Sequence, residues 1–150
     1  MSYKEYKVKI FDNGSKHWHL NGQLHREDGP AIEKYNGTKH WYLNDNLHRE
    51  DGPAIECADG SKFWFRTGLR HREDGPAIEW ADGSRSWWIE GQLHREDGPA
   101  IEDANGTKEW FLNGKEYTEE EFLKKTAPVK EYTVADLEKL LGHPVKVIKG

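Results

Sequence analysis

The sequence predicts an all-β repeat protein: an elongated, twisted antiparallel meander of stacked β-hairpins with a small α/β cap at its C-terminal end. Three observations carry that prediction. A 23-residue period places Asn/Asp-Gly-Ser/Thr-Lys/Arg at Asn13, Asn36, Asp59, Asp82 and Asn105, with a tryptophan five residues on at Trp18, Trp41, Trp64, Trp87 and Trp110. The string His-Arg-Glu-Asp-Gly-Pro-Ala-Ile-Glu closes four units without a change, at 25–33, 48–56, 71–79 and 94–102. Seven Trp, six Tyr and five Phe in a chain that is 35% hydrophobic and 33% charged argue against disorder and make aromatic rings a main source of burial. A fixed period of this length decides the architecture before any local reading does.

The elements follow in chain order. Tyr6, Val8 and Ile10 alternate as in a strand, and counting from the first turn sets Lys9 opposite Trp18. Each Asn-Gly or Asp-Gly is expected to be a two-residue type I′ turn, which takes positive φ at both positions. With Asn36-Gly37 so placed, Ile32 faces Trp41 and Glu33 faces His40; the same count pairs Ile55 with Trp64, Ile78 with Trp87 and Ile101 with Trp110. Those pairs, with Leu20, Leu43, Ile89 and Leu112 beyond them, form the expected core stripe. The other face is expected to carry His19, Tyr42, Phe65, Trp88 and Phe111 beside the motif alanines and glutamates. The motif proline should open each strand, since it lacks a ladder donor. About ten short strands result.

The period ends after Asn113, which divides the chain into an array over 1–115 and a cap over 116–150. In the cap, Thr118 and Glu121 form a capping box for a helix over 119–125, which Ala127-Pro128 terminates. Thr133 with Asp136 opens a second helix whose Val134, Leu137, Leu140 and Leu141 share one face before Gly142. Residues 145–148 read as a strand. The tail is expected to cover the open sheet edge; its alternative role is to dock a partner or form a homodimer.

Composition excludes several function classes. A net charge of −5 offers no basic footprint for duplex nucleic acid. The single cysteine, Cys57, leaves neither an internal disulfide nor a cysteine-based metal knuckle, which points to a reducing cytoplasm. The N-terminal segment has no apolar run of signal-peptide length, and no stretch approaches a membrane span. No nucleophile elbow, phosphate loop or dinucleotide fingerprint occurs, so the expectation is a protein without enzymatic activity or cofactor.

At this spacing a turn glycine, an aromatic, a second glycine and a His-x-x-x-Gly segment resemble the MORN repeat and its variants, over roughly residues 13–115. The resemblance implies elongated, twisted antiparallel sheets. This chain departs from it in carrying His-Arg-Glu-Asp-Gly-Pro where a typical unit has His-Gly-x-Gly. The string also resembles repeats of small accessory proteins from tailed phages and some bacteria, which implies a counter-defence role in a host cytoplasm. Acidic-lipid binding, known for some MORN-type proteins, ranks third because a net-acidic chain is repelled by anionic headgroups.

Two sets of residues are candidates for a site. Aromatics that vary between units, with Arg66 and Arg70 standing where other units have leucine or isoleucine, are expected to form a protein-binding surface of Phe65, Arg66, Arg70, Trp80 and Trp88. The alternative is a nucleotide or phosphate ligand on the repeated pairs His25 and Arg26, His48 and Arg49, His71 and Arg72, His94 and Arg95, since arginine presents a planar fork to phosphate oxygens. A metal on His25 with Glu27 or Asp28 ranks lower, and no metal ligand is assigned. Identical groups in every unit argue against catalysis, which needs differently tuned neighbours.

Overall fold

A computed structural model describes residues 4–128 and 131–146. The first unit holds β1 (Tyr6–Ile10), β2 (Lys16–Leu20) and β3 (Gln23–Leu24). The second holds β4 (Ile32–Glu33), β5 (Lys39–His40), β6 (Tyr42–Leu43) and β7 (Asn46–Leu47), and the third β8 (Ile55–Glu56), β9 (Lys62–Phe63), β10 (Phe65–Arg66) and β11 (Leu69–Arg70). The fourth holds β12 (Ile78–Glu79), β13 (Arg85–Ser86), β14 (Trp88–Ile89) and β15 (Gln92–Leu93), and the last β16 (Ile101–Glu102), β17 (Lys108–Leu112) and β18 (Lys115–Tyr117). An antiparallel 12-stranded sheet runs in the order β1-β2-β4-β5-β8-β9-β12-β13-β16-β17-β18, with β3 on β2; β6-β7, β10-β11 and β14-β15 form small hairpins beside it. The predicted meander of stacked hairpins is the fold, with eighteen short strands among the described residues in place of about ten.

Each full unit makes two hairpins, and the sequence exposed only one of them. At the Asn/Asp-Gly site only the glycine has positive φ (Gly37, 90°), so the turn is not type I′. Lys34 N–H donates to Thr38 O and Gly37 N–H to Lys34 O, a three-residue loop in which Gly37 supplies the left-handed position. Asn36 is there for its side chain, whose Oδ1 accepts from Thr38 N–H at 3.0 Å. The true two-residue turns lie further on, at Asn21-Gly22, Asn44-Asp45, Thr67-Gly68, Glu90-Gly91 and Asn113-Gly114, where both φ values are positive.

The longer loop moves the register by one residue and corrects the expected core. Ile32 is opposite His40, not Trp41, and Glu33 is opposite Lys39, not His40. The other predicted Ile–Trp pairs fail alike: Ile55 meets Phe63, Ile78 meets Ser86 and Ile101 meets Glu109. In the first strand Val8, not Lys9, is opposite Trp18. Because a one-residue slip reverses every side chain, the isoleucines share a face with His19, Tyr42, Phe65, Trp88 and Phe111. The tryptophans share the other with the motif alanines and glutamates. The motif alanines, Ala31, Ala54, Ala77 and Ala100, are fully buried, as nearly are Ile32 and Ile78.

A charge ladder runs along the tryptophan side of the sheet. Lys16, Glu33, Lys39, Glu56, Lys62, Glu79, Arg85, Glu102 and Lys108 are successive cross-strand neighbours, so signs alternate at every step. Beyond the array, α1 (Glu119–Thr126) starts with the predicted Thr118–Glu121 capping box and packs on β17 and β18, burying Phe122. The predicted Thr133–Asp136 box and a left-handed Gly142 bound α2 (Val134–Leu141). Its apolar residues Leu140 and Leu141 stay exposed. Of the strand expected over 145–148, residues 145 and 146 are in no strand and the others lie outside the described residues. No helix among the described residues is long and apolar enough to cross a membrane.

Candidate functional site

The repeated motif wires each unit to itself and to the next. Arg72 shows the pattern: its guanidinium stacks 4.0 Å from the Trp64 ring centre, Nε donates to Asp74 Oδ1 at 2.8 Å, and Nη1 donates to Pro76 O and Glu79 Oε1. Arg26, Arg49 and Arg95 repeat it on Trp18, Trp41 and Trp87. The hydrogen bond from each arginine, with its charge behind it, holds the carboxyls of Asp28, Asp51, Asp74 and Asp97 below the ordinary aspartate value. The motif glycine is glycine because the arginine lies on it: a Cβ on Gly52 would meet Arg49 Cζ at 3.0 Å.

The motif histidines join units. Nδ1 of His48 accepts from Thr67 N–H at 3.1 Å, Nδ1 of His71 from Glu90 N–H at 3.2 Å and Nδ1 of His94 from Asn113 N–H at 3.0 Å, each donor lying in the following unit's type I′ turn. His25 Nδ1 takes Asn44 N–H in the same way. Arg26, Arg49, Arg72 and Arg95 donate their backbone N–H to Tyr42, Phe65, Trp88 and Phe111. On the opposite rim the turn hydroxyls do the joining: Ser15, Thr38, Ser61 and Ser84 accept from the backbone N–H of Tyr35, Ala58, Ala81 and Ala104. Within the phosphate-binding pairs, the histidine Nδ1 and the arginine Nε and Nη1 are thus engaged inside the protein.

Between successive motifs lie open hollows of about 630 Å³, floored by Trp64, and about 640 Å³, floored by Trp87. Their rims carry the exposed carboxylates Glu50, Asp51, Glu73, Asp74, Glu96 and Asp97, with the exposed Arg66 beside them at the first hollow. His25 Nε2 stands 3.6 Å from Glu27 Oε1, and Asp28 is turned to Arg26. Among the described residues no group of three or more His, Cys, Asp or Glu side chains is gathered for a metal ion.

The isoleucine side of the sheet has no such cover, and the variable residues collect there. Phe65 is opposite Arg70, Arg70 lies 4.9 Å over the Trp88 ring, Trp88 Nε1 donates to Ser86 Oγ, and Trp80 meets Phe63 edge-to-face at 4.9 Å. Four of the five predicted partner residues, Phe65, Arg70, Trp80 and Trp88, therefore form one patch. Arg66, next to Phe65 in its strand, points the other way, 3.4 Å from His71 and 3.6 Å from Glu73. Phe65 and Trp88 are half-buried and Trp80 is 46% exposed, the condition of rings on an uncovered sheet surface.

Sequence reasoning missed what surrounds that patch, because the wrong register put these residues on different faces. Lys9, His17, His40, Phe63, Ser86 and Glu109 line up on the rungs between the isoleucines. Burial, then the nearby charges of Lys34 and His17, pushes the His40 imidazole down to about 4, and burial with His19, Lys9 and Lys34 lowers His17. Cys57 sits among them half-buried, its thiol pushed up chiefly by burial. The arrangement defines a β-hairpin repeat protein with an invariant, internally wired face and a variable, open one. No protein-family model and no curated protein matches the chain.

Proposed function

We propose that this is a non-enzymatic, MORN-like binding scaffold that acts in the cytoplasm by holding another protein against its open face, in the manner of a phage accessory factor that blocks a host defence component. One observation carries the reading: side chains that differ from unit to unit gather on one uncovered surface, while the identical ones are spent on the frame. Repeat proteins individualise a binding surface in this way, and Phe65, Trp80, Trp88 and Arg70 are residue types that anchor interfaces. A phosphate ligand on the motif pairs has less support, since each guanidinium already holds two carboxylates and the hollows beside it are rimmed by acids.

The test is affinity capture from bacterial lysate with mass spectrometry, run with wild type, Trp88→Ser and Phe65→Ser. A stoichiometric protein retained by wild type and lost by both variants is the expected result. A co-purified nucleotide released by Arg49→Lys and Arg72→Lys, with no protein partner, overturns it.

A further inference from the structure

The open face carries charge of opposite sign at its two ends. Along its central row the cross-strand order is Lys9, His17, Ile32, His40, Ile55, Phe63, Ile78, Ser86, Ile101, Glu109. The flanking rows repeat the trend: Lys7 opposite His19 at the first end, Glu116 opposite Phe111 at the last, and the turn positions running Phe11, Lys34, Cys57, Trp80, Asp103. Residues two apart on a strand share a face, and the contacts of Phe11 with His17 (4.6 Å), His40 with Tyr42 (6.3 Å) and Phe63 with Trp80 join the three rows. Basic side chains hold the first two units, acidic ones the fifth, and apolar and aromatic ones, with Arg70 among them, the middle.

From this arrangement we infer that a second copy of this chain closes the open face, the two copies lying antiparallel about a two-fold axis through the third unit. The inference rests on the reading that this face is the binding surface and names its first occupant, which a target protein then has to displace. An isologous interface requires a patch complementary to itself under a two-fold rotation. Reversing the central row sets Lys9 and His17 against the Glu109 end and brings Ile55 and Phe63 of one copy onto those of the other. Ten rungs about 4.8 Å apart, three side-chain rows wide, give roughly 900 Å² per copy, the size of a standard stable interface. Two sheets of the same twist pack face to face at about 30°.

Sedimentation velocity from about 1 to about 100 µM, spanning micromolar affinities, tests this with two charge-reversed variants. Lys9→Glu with Lys34→Glu makes both ends acidic, and Asp103→Lys with Glu109→Lys makes both basic. Wild type is expected to dimerise, each variant alone to dimerise at least about tenfold more weakly, and an equimolar mixture of the two to recover dimer. Cys57, which the axis brings next to its own copy, should then be cross-linked by a short bis-maleimide in wild type. A dimer indifferent to both reversals, as one made through the C-terminal tail would be, overturns the inference. So does a wild-type monomer: if captured protein is still lost on Trp88→Ser, the binding face stands without its second copy, and if capture ignores Trp88 and Phe65, both readings fall.

Discussion

At the scale of single residues, the repeated arginine does most to hold the motif together. Its planar fork meets two carboxylates and a carbonyl while its face lies on an indole, and lysine reproduces only the charge. Arg72→Lys should therefore lower the free energy of unfolding by about 1–2 kcal/mol in urea titration, and an unchanged midpoint would show that the stack is ornamental. Gly75→Ala should be destabilising by a similar amount, about 1–2 kcal/mol, because the new Cβ would meet Arg72 Cζ at 3.1 Å. In an Arg72→Ala background the obstacle is gone, so the same substitution should become close to neutral; a double-mutant cycle reads that coupling. His40 gives the protein a distinct response to acid. Its imidazole titrates at about 4 in the fold against 6.5 when free, so between those values the unfolded chain binds a proton that the folded chain refuses. The stability associated with it is full above about 6.5 and falls as pH drops toward 4. The arginine-paired aspartates, whose ordinary value is 3.8, are lowered and so withdraw their contribution only below that range. Thermal melts should show a shallow loss from pH 6.5 to 4 and a steeper one beneath. His40→Phe, which copies Phe63 of the next unit, should reduce the first phase to what His17, lowered in the same way, contributes; an undiminished phase in this variant would assign it elsewhere.

At the scale of elements, the two rims are unequal in strain. The two-residue turns need positive φ at both central positions, and most units meet this with Asn-Gly or Asn-Asp, but the third and fourth place Thr67 (φ 50°) and Glu90 (φ 48°) at the first position. A β-branched threonine is disfavoured in the left-handed region, where asparagine is tolerated. Thr67→Asn and Glu90→Asn should each raise stability by about 0.5–1 kcal/mol without disturbing the backbone donors to His48 and His71; loss of stability in either would mean the original side chain is held by something other than the turn. The same turns mark how far the sequence could be read. The period, both capping boxes and the end of α2 at Gly142 were legible because each rests on a local residue signature. The register was not, because Asn-Gly has two uses. At Asn36-Gly37 the asparagine caps Thr38 with its side chain and only the glycine turns left-handed, whereas Thr67-Gly68 and Glu90-Gly91 hide a type I′ turn behind residues that do not advertise one. A one-residue error there carried the tryptophans to the wrong face. Strand alternation sets the variable residues Phe65, Arg70, Trp80 and Trp88 on one face and Arg66 on the other.

At the scale of the whole molecule, the chain exposes 10693 Å², about a third more than the roughly 7,900 Å² of a compact protein of its mass. That excess follows from building in one direction. Each unit bonds to its neighbours through histidine and turn amides on one rim, serine or threonine hydroxyls on the other and the ladder between, so stability should accumulate as a sum of units and interfaces. Removal of one complete unit tests this, because the period is strict. Deleting residues 36–58 joins Tyr35 to Asp59 in phase, so that His25 of the first motif meets Thr67 of the third unit in place of Asn44. The shortened chain should still fold cooperatively between its own β1 edge and α1 cap, with a denaturant slope lower by about 15%, in proportion to the surface removed, and with a lower midpoint. Folding that fails outright would mean that the units are not interchangeable, and that the differences collected on the open face contribute to the frame as well as to whatever it holds.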